Sequence, residues 1–260
     1  MKGRGDMQEV VQSVDRTLSI LELLSDYENG LGITEISEKV NLHKSTVHRL
    51  LNTLMVKGYV QQSEDSNRYK LTLKLFELGS KKVEKMNIVN VARPLLKELM
   101  EKTNEVIHLV VREGIDIVYV AKVESQNPIR MYSRIGKKSP MYCTAVGKSM
   151  MSHMSEEEVN LIWKNSNVEK LTEYTITDFQ TFKDNIDLIR NEGYAIDEQE
   201  NEIGIRCIAA SVLDYSGNIV GAISISGSII SFKEEKIQEF SKLIIEYSNR
   251  ISQELGYKCS

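Results

Sequence analysis

The sequence predicts an α+β protein: an N-terminal winged helix-turn-helix unit, a linker helix and a C-terminal α/β unit. Three observations carry this. The first part of the chain reads helix, short helix, helix, β-hairpin, which is the winged helix-turn-helix order. Beyond the helix that contains Pro94, strand blocks follow with helices between and around them. Positive charge is also localised. Residues 39–74 hold seven Lys or Arg against two acids, a net +5, while residues 1–38 are −5 and the whole chain is −4. A local field of one sign matters more to a charged partner than the total does.

The opening helix is read from "SVDRTLSILELLSDYENGLGI", where Val14, Leu18, Leu21 and Leu24 fall at helical spacing. Ser13 is its expected N-cap, and Gly30 and Gly32 end the segment. "TEISEKVN" is a short helix with Thr34 as its expected N-cap and Glu35 well placed on the first turn. A tight connection at Asn41-Leu42 leads into "HKSTVHRLLNTLMVKG". There Val47, Leu50, Leu51 and Leu54 form an apolar stripe and Gly58 stops the helix. "YVQQ" and "RYKLT", joined by the polar turn "SEDSN", make the hairpin.

From Leu73 to Asn104 the pattern is helical, and Pro94 marks a helix start or a kink, since it has no N–H to donate. "VIHLVV", "IDIVYVAKV" and "IRMYSRI" read as strands. Helices follow at "CTAVGKSMMSHM", "EEEVNLIWKNS" and "FQTFKDNIDLIRNEG". Strands return at "YAIDEQE", "GIRCIAASVLD" and "NIVGAISISG", and an amphipathic helix closes the chain. The expected divisions are a tail at 1–10, a winged helix-turn-helix domain at 11–73, a linker helix at 74–91 and a further domain at 92–260.

Composition excludes several classes. The chain has 260 residues, 41% hydrophobic and 27% charged, enough for two cores. Apolar runs are a few residues long, far short of a membrane span. The N-terminus lacks the apolar stretch of a secretory signal. Three widely spaced cysteines, Cys143, Cys207 and Cys259, suit a reducing cytoplasm better than a disulfide framework. No CxxC or HxxxH spacing supports a metal site, and no cofactor is expected.

Taken together, "QSVDRTLSILELL", "GITEISEKV", "KSTVHRLLNTL", "GYV", "RMYSRIGKKSPMYCTAVGKSMM", "GYAIDEQENEIGIRCIAASVLD" and "AISISG" resemble the IclR family of bacterial transcriptional regulators. The resemblance runs from about Gln12 to about Tyr257 and departs at Leu213, where the family usually has an aromatic or His. It implies a GAF-like effector-binding domain behind the linker helix. "KLTLKLFELG", "RMYSRIG" and "GIRCIAA" are most like the KdgR-type subgroup, which responds to 2-keto-3-deoxygluconate and controls sugar-acid breakdown. The expectation is thus a cytoplasmic regulator, not an enzyme. It would bind a pseudo-palindromic operator as a repressor, leave it when a small carboxylate binds, and form homodimers or homotetramers. The alternative is a regulator of the same type in another pathway, for another carboxylate or aromatic acid, or an activator.

Lys44, Ser45, Thr46, His48 and Arg49 lie on the first two turns of the third helix, the turns that a recognition helix presents to bases. Arg49 suits guanine O6/N7, Lys44 a phosphate, and Ser45 and Thr46 either. Arg68 and Lys70 in the wing face phosphates or the minor groove, and Gln12, Ser13 and Arg16 sit where the first helix meets the backbone. His43 stands where relatives often have a capping Ser.

In "AISISG", Ser224 and Ser226 share one strand face, with Ile223 and Ile225 on the other. Ile205, Cys207, Ala209 and Ser211 likewise share a face. By resemblance, Asp197, Cys207, Ser224 and Ser226 match the family's effector contacts, and the backbone N–H groups of Ala145 and Val146 match those that hold the ligand carboxylate. Thr144 can cap that helix, whose free N–H groups favour an anion. Met131 would form an apolar wall. Arg130 and Arg134 serve either the ligand or an interface. "DEQENE" as a whole reads as a solvated strand edge and turn rather than a metal site.

Two enzyme readings fail. The GKS in "AVGKS" needs a glycine where Tyr142 stands to be a phosphate loop. A hydrolase lacks both GxSxG and a base beside Cys207. A pure dimerisation module leaves the small and polar strand faces unexplained.

Overall fold

Three helices and a hairpin open the chain in the computed structural model, which describes residues 10–63, 65–84, 87–125 and 133–258, with the side chains of 82–84 and 87 outside that description. Helix α1 spans Gln12–Ser25, α2 Ile33–Lys39 and α3 Lys44–Val56, followed by β1 (Val60–Gln62) and β2 (Tyr69–Leu71). The predicted stripe of Val47, Leu50, Leu51 and Leu54 is buried against Ile20, Leu21, Leu24 and Ile36. The hairpin is antiparallel, pairing Val60 with Leu71.

The caps differ from expectation. Val11, not Ser13, precedes α1. Gly32, not Thr34, precedes α2, because the Glu35 carboxylate reaches back to accept from the Gly32 N–H at 2.7 Å. His43 is the N-cap of α3 but makes no side-chain cap bond. Asn41, at φ 51°, makes the α2–α3 turn left-handed, a conformation that Asn tolerates. Gly30 takes φ +70°, and a Cβ there would stand 2.4 Å from the Tyr69 carbonyl oxygen, so the bridge between Leu31 and Tyr69 needs a glycine.

The chain divides into two units between Lys82 and Val83. Helix α4 (Lys74–Glu84) precedes α5 (Asn87–Thr103). Pro94 lies inside α5, not at its start. The second unit is built on one antiparallel sheet in the order β5-β4-β3-β8-β7-β6. Its strands are β3 (Val106–Glu113), β4 (Asp116–Val123), β5 (Lys138–Pro140), β6 (Ala195–Glu198), β7 (Ile205–Leu213) and β8 (Ile219–Ser228).

The strand expected at "IRMYSRI" has its first part outside the described residues, and Arg134–Gly136 forms a turn. The short strand comes later, at Lys138–Pro140, where it pairs with β4. Alternation divides the sheet as predicted. Ile208, Ala210, Ile223 and Ile225 pack with α5 and α9 (Glu234–Glu254). Ala209, Ala222 and Cys207 face the layer of α6 (Ala145–Ser152), α7 (Glu156–Asn165) and α8 (Phe179–Glu192). No helix among the described residues is long and apolar enough to cross a membrane.

Candidate effector cleft and nucleic-acid face

The α3 surface follows from its stripe. With Val47, Leu50, Leu51 and Leu54 turned inward, Lys44, Ser45, His48 and Arg49 are exposed and Thr46 is half-buried. No acid stands in the first turn of α3. Arg68 is more engaged than expected. Its guanidinium donates to the Gly30 carbonyl at 3.0 Å and pairs with Glu35 at 3.0 Å, tying the wing to the start of α2. The pair and the Gly32 N–H hold Glu35 below the usual carboxylate range, the backbone bond being the larger cause.

In the second unit a cleft with about 330 Å³ of empty space, part of it open solvent, lies between the sheet and the start of α6. Ala145, Val146, Asp197, Cys207, Ser224 and Ser226, predicted separately from three stretches of sequence, all line it. Register explains the grouping: Cys207 pairs with both Asp197 and Ser226, so three strands bring polar atoms to one place. Met131 and Arg130 lie outside the described residues, and Arg134 is exposed in the turn.

The α6 end of the cleft is fixed by packing. Thr144 caps the helix by accepting from the Gly147 N–H at 3.2 Å and donates to the Pro140 carbonyl at 2.9 Å. A Cβ on Gly147 would stand 2.3 Å from the Met141 carbonyl oxygen. The glycine of "AVGKS" therefore serves close packing. Every residue of α6 is buried, and the free N–H groups of its first turn are the donors an anion needs.

"DEQENE" is not solvated throughout, since two of its acids are buried. Asp197 is 3% exposed and Glu200 5%. Glu200 pairs with the ammonium of Lys148, itself 1% exposed. Burying three charged groups is tolerable only when they compensate one another. Asp197 accepts from the Glu200 N–H at 2.7 Å. Burial raises its pKa to about 7, with Lys148 opposing and Glu200 adding. The Glu200 carboxyl is raised too, again mainly by burial. Among the described residues no group of His, Cys and acids is arranged to hold a metal ion.

Sequence reasoning missed several neighbours. Tyr119, Asn201 and Glu202 also line the cleft, beside Thr144 and Ile205, which the sequence places there. His108, on β3 directly opposite Ser224, stands behind the two serines. Its Nδ1 is 3.3 Å from Oγ of both Ser224 and Ser226, and its Nε2 is 2.7 Å from Oγ of Ser133. Burial keeps the imidazole neutral by lowering its pKa to about 3. So weak a base takes no proton from a serine near neutral pH. Burial also raises the Cys207 thiol of the cleft, and that of Cys143 in the core beneath α6 to about 12, which removes the thiolate a nucleophile needs. The histidine's signal was present in "VIHLVV": a polar residue at an inward strand position.

Comparison with known proteins gives concordant matches. Residues 13–64 match the IclR helix-turn-helix domain, and residues 80–253 match the family model described as bacterial transcriptional regulator IclR C-terminal. The HTH-type transcriptional regulator KdgR of Escherichia coli is 39% identical over 95% of this chain and 94% of its own. The transcriptional repressor IclR of the same organism is 29% identical over 95% and 90%. A crystal structure of the Thermotoga maritima IclR superposes with TM-score 0.83 at 35% identity, covering 95% of this chain and all of that one.

Proposed function

Because the chain belongs to the IclR family of bacterial transcriptional regulators, and is a DNA-binding regulator and not an enzyme, we propose that it represses sugar-acid catabolic genes in the cytoplasm. A small keto acid such as 2-keto-3-deoxygluconate releases it from its operator. The observation that carries this reading is the chemistry of the cleft. One end offers the N–H groups of Ala145 and Val146 to a carboxylate. The other offers Ser224, Ser226 and Asp197 to hydroxyl groups. A polyhydroxy keto acid has both ends. Cys207 supplies a softer wall.

Lys44, Ser45, Thr46, His48 and Arg49 enter the major groove, and Arg68 holds the wing to the duplex while anchored to Glu35. The apolar side chains that α1 leaves exposed, Val14 and Leu18, together with Val10 and Val11 before it, support pairing of two copies on a pseudo-palindrome. Dimers of dimers would follow from a second such contact. Coupling of roughly 1–3 kcal/mol changes operator affinity by roughly 5–150-fold.

Isothermal titration with 2-keto-3-deoxygluconate, pyruvate, glyoxylate and gluconate tests the effector. Saturable binding of the first alone, one per chain, supports the pathway. Preference for a smaller acid keeps the regulator and discards the pathway. In a reporter assay, Ser224→Ala with Asp197→Asn should remove the response to effector and leave repression intact.

A further inference from the structure

We propose that His108 sets the hydrogen-bonding polarity of Ser224 and Ser226, so that this end of the cleft accepts hydrogen bonds and selects acids that carry hydroxyl groups. The inference rests on the effector reading above and deepens it.

The argument is one of hydrogen atoms. Ser224, Ser226 and His108 are each at most 4% exposed. Each serine hydroxyl carries one hydrogen that needs an acceptor, because an orphaned buried donor is costly. The two Oγ atoms are 3.3 Å apart, and each is 3.3 Å from the same Nδ1. A neutral imidazole has one N–H.

Suppose Nδ1 carries the hydrogen. It can only donate to the serines. One serine then donates to the other, and the second hydroxyl hydrogen is left with the weakly accepting Cys207 sulfur. Suppose instead that Nε2 carries it. Nε2–H donates to Ser133 Oγ at 2.7 Å, one serine donates to Nδ1, and the other donates to its neighbour or to Nδ1. The imidazole N–H and both buried serine hydroxyls are then used, and the remaining hydroxyl hydrogen is that of Ser133, which is only half-buried and can turn to solvent. The second arrangement is the satisfied one.

Its consequence is directional. With their hydrogens turned back toward the imidazole, Ser224 and Ser226 present lone pairs to the cleft. They take hydrogen bonds from ligand hydroxyls and repel an oxo or carboxylate oxygen. The α6 amides at the other end do the reverse. The cleft thus has a donor end and an acceptor end, and an acid without hydroxyls satisfies only the first. A site built to bond a hydroxyl discriminates strongly against the analogue that lacks it. Tyr119, edge-on to His108 with ring centroids 5.1 Å apart, holds the imidazole plane. Lys122, paired across β3–β4 with His108, donates to the Ser133 carbonyl at 2.9 Å and fixes the residue that receives Nε2–H.

The first test needs no ligand. Long-range ¹⁵N–¹H correlation of the full-length protein reads which imidazole nitrogen carries the hydrogen, with the His108 signals identified by their loss in His108→Asn. Nε2–H is expected, and Nδ1–H overturns the proposal. The second test compares the affinities of 2-keto-3-deoxygluconate and pyruvate by calorimetry. In His108→Leu the serines lose their acceptor, and the ratio should fall by about tenfold or more. His108→Asn keeps an acceptor near the Nδ1 position and should hold the ratio within about threefold. An unchanged ratio in the leucine variant, or an equal fall in both, overturns the proposal. If neither acid binds the unaltered protein, the effector reading fails, and the tautomer spectrum still decides the role of His108. If the leucine variant does not fold, the spectrum and the asparagine variant carry the decision.

Discussion

Replacing Asp197 with Asn removes a buried ionisation while keeping an oxygen to accept from the Glu200 N–H. In the folded chain the carboxyl pKa is about 7, against 3.8 for the free side chain. The native state therefore binds this proton more tightly than the unfolded chain does. Stability from that difference is complete below about pH 4 and is lost as pH rises through about 7. The gap between the two values corresponds to roughly 4 kcal/mol across the window. That is a large part of the 5–15 kcal/mol or so that typically holds a domain together. Trp163 is the sole tryptophan and packs on Phe182 and Phe179 with ring centroids 4.5 and 5.5 Å away, so its fluorescence reports unfolding of this unit. Urea unfolding between about pH 4.5 and 8.5 should show the natural chain losing stability toward alkaline pH, and Asp197→Asn losing distinctly less. Parallel curves for the two chains would refute the reasoning, because they would mean that Asp197 titrates alike folded and unfolded.

Other outcomes follow from the same geometry. Lys148→Met strands two buried carboxyls and should cost about 3–5 kcal/mol in the same unfolding assay, with Lys148→Met/Glu200→Leu recovering much of it. Gly147→Ala forces a Cβ against the Met141 carbonyl and should cost about 1–3 kcal/mol and weaken effector binding in titration. Arg49→Ala should lower operator affinity in a mobility-shift assay by about 1–3 kcal/mol and relax preference at one base, with effector binding unchanged. Lys44→Ala should weaken binding to all sequences alike and reduce the salt slope by about one.

Much of the fold was legible because periodicity is local. The α3 stripe and the alternation of "AISISG" depend on residues within two turns or one strand, and both face as predicted. Alternation put Ser224 with Ser226, and Cys207 with Ala209, on shared strand faces, and the family resemblance singled out Cys207, Ser224, Ser226, Asp197 and the α6 amides as contacts. What was illegible depends on distant partners. Lys148 and Glu200 are 52 residues apart, so nothing near "DEQENE" announces that two of its acids are buried. His108 and Ser224 are 116 apart and meet only through strand register. Caps also failed locally: Thr34 is a better capping residue than Gly32 in general, but the Glu35 side chain decides the start of α2 from within the helix.

The close approach at Gly147 has a consequence for signalling. A backbone pressed against Met141 keeps the amides of α6 in one arrangement, so ligand binding loses little conformational freedom there. An element with a single arrangement cannot distinguish a filled cleft from an empty one, because transmission requires two. The opposite rim differs. Between Asp197 and Ile205 the chain turns through Gln199 at φ 62° and Gly204 at φ 81°, and beyond the anchored Glu200 it leaves Glu202 and Ile203 exposed. On the proposed effector reading, the static wall measures the ligand, and the news of its arrival has to leave by the other side.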